Sequence, residues 1–164
     1  MITRCFFLFI FALSTISYCE KIEFNAKSLT LNFPGTIIAS GNTAFKSQEL
    51  QINSDSFQYN FDQQKGTFIK NVKIKNNNSN LSGNLFMIDY LNSEITGKGN
   101  IALDSNTIKA TSDDLRISNY EILTLMNNVK VQQNGSQIKS NQLIYNLKTD
   151  TIISDKRIKL IIKE

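Results

Sequence analysis

Four stretches decide how this chain folds: Asn42-Thr-Ala-Phe45, Asn71-Val-Lys-Ile74, Asn100-Ile-Ala-Leu103 and Asn128-Val-Lys-Val131. Laid over one another, their second residues fall at 43, 72, 101 and 129, so the steps are 29, 29 and 28 residues. A fixed period of this size marks one supersecondary unit copied along the chain. Such a unit buries its apolar face only against its neighbours.

Within each copy the apolar residues recur two apart, the side-chain alternation of a strand. The first column pair is Thr43 and Phe45, Val72 and Ile74, Ile101 and Leu103, Val129 and Val131. A middle column holds Ile52, Leu81, Ala110 and Ile138, and a last pair holds Phe57 and Tyr59, Phe86 and Ile88, Leu115 and Ile117, Leu143 and Tyr145. The residues between are mostly polar, as Lys73 and Lys75 around Ile74 or Arg116 and Ser118 around Ile117, so each strand has one buried and one solvated face. Ahead of the last pair stands a polar corner: Asn53-Ser-Asp-Ser56, Ser82-Gly-Asn84, Thr111-Ser-Asp-Asp114 and Ser140-Asn-Gln142. Such short side chains bond the local backbone and tolerate unusual dihedrals, which predicts strand, turn, strand, corner, strand in every copy. A half copy precedes these, with Phe24, Leu29, Leu31 and Phe33 in its columns and Ala26-Lys-Ser28 at its corner, closed by Pro34-Gly35. No long amphipathic helix and no linker interrupts the pattern, so residues 20–164 read as one all-β domain.

The first nineteen residues are of a different kind. Met1 to Arg4 is a short basic start, and Cys5 to Leu13 is an apolar run that passes into small and polar residues before Glu20. That is the layout of a secretory signal peptide, residues 1–19, with Ser17 and Cys19 suiting cleavage after Cys19. A spanning anchor, which takes roughly 20 apolar residues, is the weaker reading, and Tyr18 before Cys19 disfavours lipid attachment there.

Export also explains the cysteines, because both, Cys5 and Cys19, lie in the segment to be removed. The mature chain then has no thiol for a disulfide, a zinc site or a nucleophile, and the whole sequence has no histidine. Catalysis is not expected. No Gly-x-Ser-x-Gly elbow occurs, Gly97-Lys-Gly99 lacks the rest of a phosphate loop, and Asp113-Asp114 sits at a corner where turn chemistry accounts for it. The net charge of +4 is too mild for a nucleic-acid binder. Two other classes remain open on the residues alone: a β-solenoid enzyme acting on polysaccharide, and an exported structural or adhesive repeat whose columns are fully packed.

The order and spacing of Ala26-Lys-Ser-Leu-Thr-Leu31, Gly41-Asn-Thr-Ala-Phe45, Gly99-Asn-Ile-Ala-Leu103, Ala110-Thr-Ser-Asp-Asp-Leu-Arg-Ile117, Asn128-Val-Lys-Val131 and Lys139-Ser-Asn-Gln-Leu-Ile-Tyr145 resembles the LptA/OstA family of lipopolysaccharide (LPS) transport proteins. The resemblance runs over residues 22–155. It implies an open, folded-over β-jellyroll with an apolar groove for acyl chains, a periplasmic location, no cofactor, and end-to-end sheet pairing with inner- and outer-membrane partners of the same fold or head to tail with further copies. On that reading the groove wall is Phe45, Ile52, Phe57, Tyr59, Ile74, Leu81, Phe86, Ile88, Leu103, Ile117, Val131, Ile138, Leu143 and Tyr145. The pairing edges are Ile22 and Phe24 at one end and Ile158, Leu160 and Ile162 at the other, with Lys156, Arg157, Lys159 and Lys163 as charges that restrain indiscriminate pairing. The membrane-anchored relative LptC shares the fold, and the short first apolar run favours the soluble member. The chain departs from the family in its Asn, Ile and Lys richness, its missing corner aspartates and its long polar run Lys75-Asn-Asn-Asn-Ser-Asn80.

Overall fold

Every apolar column of the four full copies falls within a strand, and Phe33 of the half copy lies outside the described residues. The computed structural model describes residues 23–32, 35–46, 50–76, 79–119, 121–133, 135–147, 149, 151–153 and 159–161, and the expected signal segment 1–19 lies outside them. The strands are β1 (Glu23–Asn25), β2 (Ser28–Asn32), β3 (Thr36–Lys46), β4 (Leu50–Asn60), β5 (Lys65–Asn76), β6 (Ser79–Asp89), β7 (Glu94–Ser105), β8 (Lys109–Ser118), β9 (Ile122–Gln133), β10 (Ser136–Asn146), β11 (Thr151–Ile153) and β12 (Lys159–Ile161). The long strands β3 to β10 pair antiparallel in chain order, β1 and β2 pair with β3, and β11 and β12 pair with β10, all in one sheet. No helix occurs among the described residues.

The polar corners do not end strands, as the sequence pattern predicts, but lie inside them. Each pairing of one long strand with the next has a register shift at the corner, for example between Asn53 and Ser56 of β4 against Ile69 and Val72 of β5. Opposite each corner the odd strand carries two successive left-handed residues: Gly41 and Asn42, Lys70 and Asn71, Gly99 and Asn100, Asn127 and Asn128. These are the residues that anchor the sequence repeat. Glycine and asparagine visit this region at little cost, whereas an ordinary side chain such as Lys70 loses about 1 kcal/mol there. The result is a bulge that bends both strands while the ladder resumes on either side.

The bulge is satisfied internally. On the even strands Ser54, Ser112 and Ser140 donate from Oγ to the carbonyls of Ser56, Asp114 and Gln142 at 2.9, 2.9 and 2.6 Å. Across to the odd strands, Asn71 Nδ2 donates to both carboxylate oxygens of Asp55 at 3.1 Å, Asn128 to Asp113 at 2.6 Å and Asn127 to Asp114 at 2.8 Å. The Asp113-Asp114 pair is therefore corner chemistry. In the half copy the corner does separate β1 from β2, and at the far end β12 and β11 flank β10 in the same divided way.

Aligned corners make a crease across the whole sheet and divide it into two halves. The first half holds the strand ends from 43–46 through 136–140, and the second holds those from 36–40 through 142–146. Their apolar faces meet. Phe45 of the first half lies 5.5 Å from Phe57 and 6.2 Å from Phe68 of the second, ring centre to ring centre. In the middle of the sheet Phe86 and Ile101, both essentially unexposed, fill the space between the halves. Glycine makes room for them: a Cβ on Gly83 would lie 2.7 Å from Ile101 Cδ1, and one on Gly97 would lie 2.6 Å from Phe86 Cε1.

The free margin of the second half is bound copy to copy. Backbone amides of Phe61, Tyr90, Asn119 and Leu147 donate to the carbonyls of Gly35, Gln64, Ser93 and Glu121 at 2.8 to 3.1 Å.

Candidate functional site

The columns of the sequence are rows of the sheet. Register places Phe24, Phe45, Ile52, Ile74, Leu81, Leu103, Ala110, Val131, Ile138 and Leu160 in one unbroken line across the first half. In the second half one line runs Leu29, Ala39, Phe57, Phe68, Phe86, Gly97, Leu115, Leu125, Leu143. Another runs Leu31, Ile37, Tyr59, Gly66, Ile88, Ile95, Ile117, Leu123, Tyr145, Ile152. From Phe24 to Ile138 in the first row and throughout the other two, these side chains lie on the inner faces, so alternation along each strand has become an apolar wall on each half.

Of the fourteen residues expected to line a groove, seven lie on each half. Ile52, Phe57, Ile74, Leu81, Phe86, Ile88, Ile117, Val131, Leu143 and Tyr145 are buried in the interior. Phe45, Tyr59, Leu103 and Ile138 are partly exposed and pack against that core. Tyr90 and Leu147 are partly exposed in the same way on the second half, while Leu50 and Ile108, nearer the first-half tips, are buried. Solvent thus reaches the wall at the partly exposed positions, whereas Ile52, Ile74, Leu81, Ile88 and Ile117 in the same rows are buried. The interior also contains Phe68, Ile95, Leu123 and Leu125, which the column reading leaves out. Their signal was the same two-residue alternation in Gly66-Thr-Phe68, Ile95-Thr-Gly97 and Leu123-Thr-Leu125, weakened by small neighbours.

One end of the interior is aromatic and open. Phe24 packs tilted against Phe45 at 4.7 Å and Phe57 against Phe68 at 4.7 Å, and Tyr59 meets Phe61 and Tyr90 edge-on at 5.0 and 6.0 Å. Beyond them Leu29 and Leu31, at the ends of two inner rows, are 52% and 55% exposed. Among the expected edge residues, Phe24 lies in β1 and Leu160 in β12, in register with Ile138, whereas Ile22, Ile158 and Ile162 lie outside the described residues. Strands β2 and β11 are outermost as well and were not expected to be, although Ser28-Leu-Thr-Leu-Asn32 alternates in the same way.

Polar groups inside are few and partnered. Thr43 and Ser54, both buried, share a hydroxyl hydrogen bond of 2.6 Å, and Thr43 Oγ1 also donates to the Ser54 carbonyl at 3.1 Å. Asp89 closes a hairpin tip of the second half, accepting from Asn92 Nδ2 at 2.9 Å, from Asn92 N at 3.1 Å and from Lys65 Nζ at 3.1 Å. The Asn92 side chain, aided by Lys65 and the Asn92 amide and opposed by burial, holds the Asp89 carboxyl below the usual carboxylate range. No group of three or more metal-ligating side chains occurs among the described residues. What the arrangement offers is an apolar interior exposed at a few positions, with β1, β2, β11 and β12 outermost among the described strands.

A family profile described as "LptA/(LptD N-terminal domain) LPS transport protein" matches residues 51–151. The chain belongs to this family. The match runs from β4 to the start of β11 and takes in most of the repeat, so the fold is the LptA/OstA-like jellyroll of periplasmic LPS transport. Among solved structures the chain is similar to LptH, the LptA-homologous periplasmic component of the LPS transport device of Pseudomonas aeruginosa, at 12% identity and a TM-score of 0.45, covering 88% of this chain and 96% of that one. None of the curated proteins compared matches the chain.

Proposed function

We propose that this member of the family is a non-catalytic periplasmic carrier, exported by a cleaved signal, that takes LPS acyl chains between the two halves of its sheet and joins neighbours of the same fold through its sheet ends. The observation that carries this reading is the pair of apolar walls meeting across a crease, partly exposed at Phe45, Leu103, Ile138 and Tyr59. Burial of each methylene of a tail contributes about 0.8 kcal/mol, so a few carbons from several chains suffice for capture without any polar contact. The centre is filled by Phe86 and Ile101, which supports first contact at the partly exposed Phe45, Tyr59, Leu103 and Ile138. The outermost strands leave backbone groups for a partner strand at both ends, the chemistry of β-augmentation.

The test is photocrosslinking in the cell envelope with a benzophenone side chain at Phe45 or Leu103, against outward Lys73 as control. Adducts with LPS at the first two and none at Lys73 support the reading. A folded protein that gives no adduct at either wall position would sink it and favour a packed structural repeat.

A further inference from the structure

The outer face of the first half carries a charge arrangement that sheet stability does not explain. Most lysines with a partner in register face an acid or a neutral polar residue: Lys46 faces Glu23, Lys65 faces Asp89, Lys98 faces Asp114, Lys109 faces Asp104, and Lys73 lies between Asn53 and Ser82. Lys130, Lys139 and Lys159 stand directly opposite one another on β9, β10 and β12. Strands lie about 4.8 Å apart, so three cations are held side by side, and like charges directly opposite destabilise a sheet. Edge protection accounts for Lys159 on an outermost strand but not for Lys130 and Lys139, which lie inside the pairing. The carboxylates on β7 and β8 are committed elsewhere, Asp104 to Lys109 at 3.2 Å and Asp113 to Asn128 at 2.6 Å.

Beside this ladder the surface is concave. A depression of about 340 Å³ has Leu103, Ala110 and Val131 in its lining, with Lys130 and the Lys109–Asp104 pair as its charges. A second, of about 240 Å³, shares Lys109 and Gln132 with the first and reaches Ser105 and Thr107 at the hairpin tip of the first half. Together they form a track from the hairpin tip of β7 and β8 to Lys130, and Lys139, opposite Lys130 on β10, lies outside their lining. Hydroxyls and amides suit a saccharide, and a row of ammonium groups suits phosphate.

We infer that this track holds the phosphorylated saccharide head of the amphiphile whose tails enter between the halves. The inference rests on the acyl-carrier reading for its ligand and adds a second, outward site with Lys130 and Lys139 as the phosphate-binding residues. An unliganded ladder is repulsive and a phosphate relieves it, so charge complementarity selects this occupant over a neutral sugar.

The experiment uses the mature chain and three soluble probes: deacylated LPS retaining its phosphates, the same material after phosphatase treatment, and inorganic phosphate, each titrated by calorimetry. Deacylated LPS should bind the wild type and bind the K130Q/K139Q variant at least about tenfold more weakly, as expected for losing two charge-assisted contacts. The phosphatase-treated probe should bind wild type no better than the intact probe binds the variant. Lys139→Gln alone should raise the thermal midpoint of the free protein, because it removes repulsion on both sides. Equal binding by wild type and variant overturns the proposal, as does inorganic phosphate binding as tightly as the saccharide, or a lowered midpoint for Lys139→Gln with binding intact. Photocrosslinking at Phe45 separates the two sites. Adducts there without lysine-dependent head binding overturn this inference alone, whereas lysine-dependent head binding without adducts supports it and removes the acyl reading.

Discussion

Gly97→Ala tests whether the two halves of the sheet are locked together at their centre. A Cβ at this position would stand 2.6 Å from Phe86 Cε1, 3.0 Å from Ile101 Cδ1 and 3.1 Å from Phe86 Cδ1. Neither neighbour has free space, since Phe86 and Ile101 are 0% and 1% exposed. Two effects oppose. Alanine in place of a mid-strand glycine stabilises by about 0.5–1 kcal/mol through the unfolded chain. Forcing a methyl into a filled core costs about 1–3 kcal/mol. With two rigid contacts at or below 3.0 Å the upper end of that range applies, and the net loss is about 2 kcal/mol, or roughly 6 °C in thermal midpoint for a domain of this size. Gly66→Ala is the control: it too faces inward, but its Cβ would meet nothing closer than Phe57 Cε2 at 3.4 Å, so it should be neutral or slightly stabilising. Urea denaturation with unchanged slope measures both. The packing between Gly97 and Phe86 should also appear as coupling in a double-mutant cycle with Phe86→Leu, where the smaller side chain absorbs the added methyl. A Gly97→Ala protein as stable as the wild type, or no coupling to Phe86, would refute the claim that the centre is closed by direct contact.

Asp89 gives a pH dependence of definite sign. Its carboxyl is depressed in the folded state, so the stabilisation from Asn92 and Lys65 is present above the ordinary value of 3.8 and is lost as pH falls through the lower folded value; acid unfolding of wild type and Asp89→Asn should converge below that point. Thr43→Val removes the 2.6 Å hydroxyl contact and should cost about 0.5–1.5 kcal/mol, because buried Ser54 keeps its bond to the Ser56 carbonyl, and adding Ser54→Ala removes that bond too and should lower the thermal midpoint further. Asn71→Gly keeps the left-handed backbone and loses only the bonds to Asp55, while Asn71→Val should lose at least about 1 kcal/mol more from backbone strain. Removing residues 158–164 takes β12 from β10 and should weaken end-to-end association, seen by sedimentation at rising concentration, with the circular dichroism of the fold kept; a truncated chain that unfolds makes β12 core instead of a docking edge.

Much of this protein is legible in its residues because the decisive signals are local. Alternation two apart specifies which side chains share a face, and the anchors at Asn42, Asn71, Asn100 and Asn128 mark where the backbone turns left-handed, since few other side chains tolerate that conformation. The same locality misled at the corners. Asn53 to Ser56 has the composition of a turn, and only a partner strand bulging at Lys70 and Asn71 lets β4 run through it as a crease. Tertiary structure alone decided what stands opposite what: Phe68 and Leu125 in the second wall, Phe86 and Ile101 seated over Gly83 and Gly97, and Lys130 beside Lys139 and Lys159. The side-chain period belongs to each strand and can be read from a few residues. Register is a property of two strands at once, set by bulges and hairpins far from the residues it brings together, so no single window of sequence contains it.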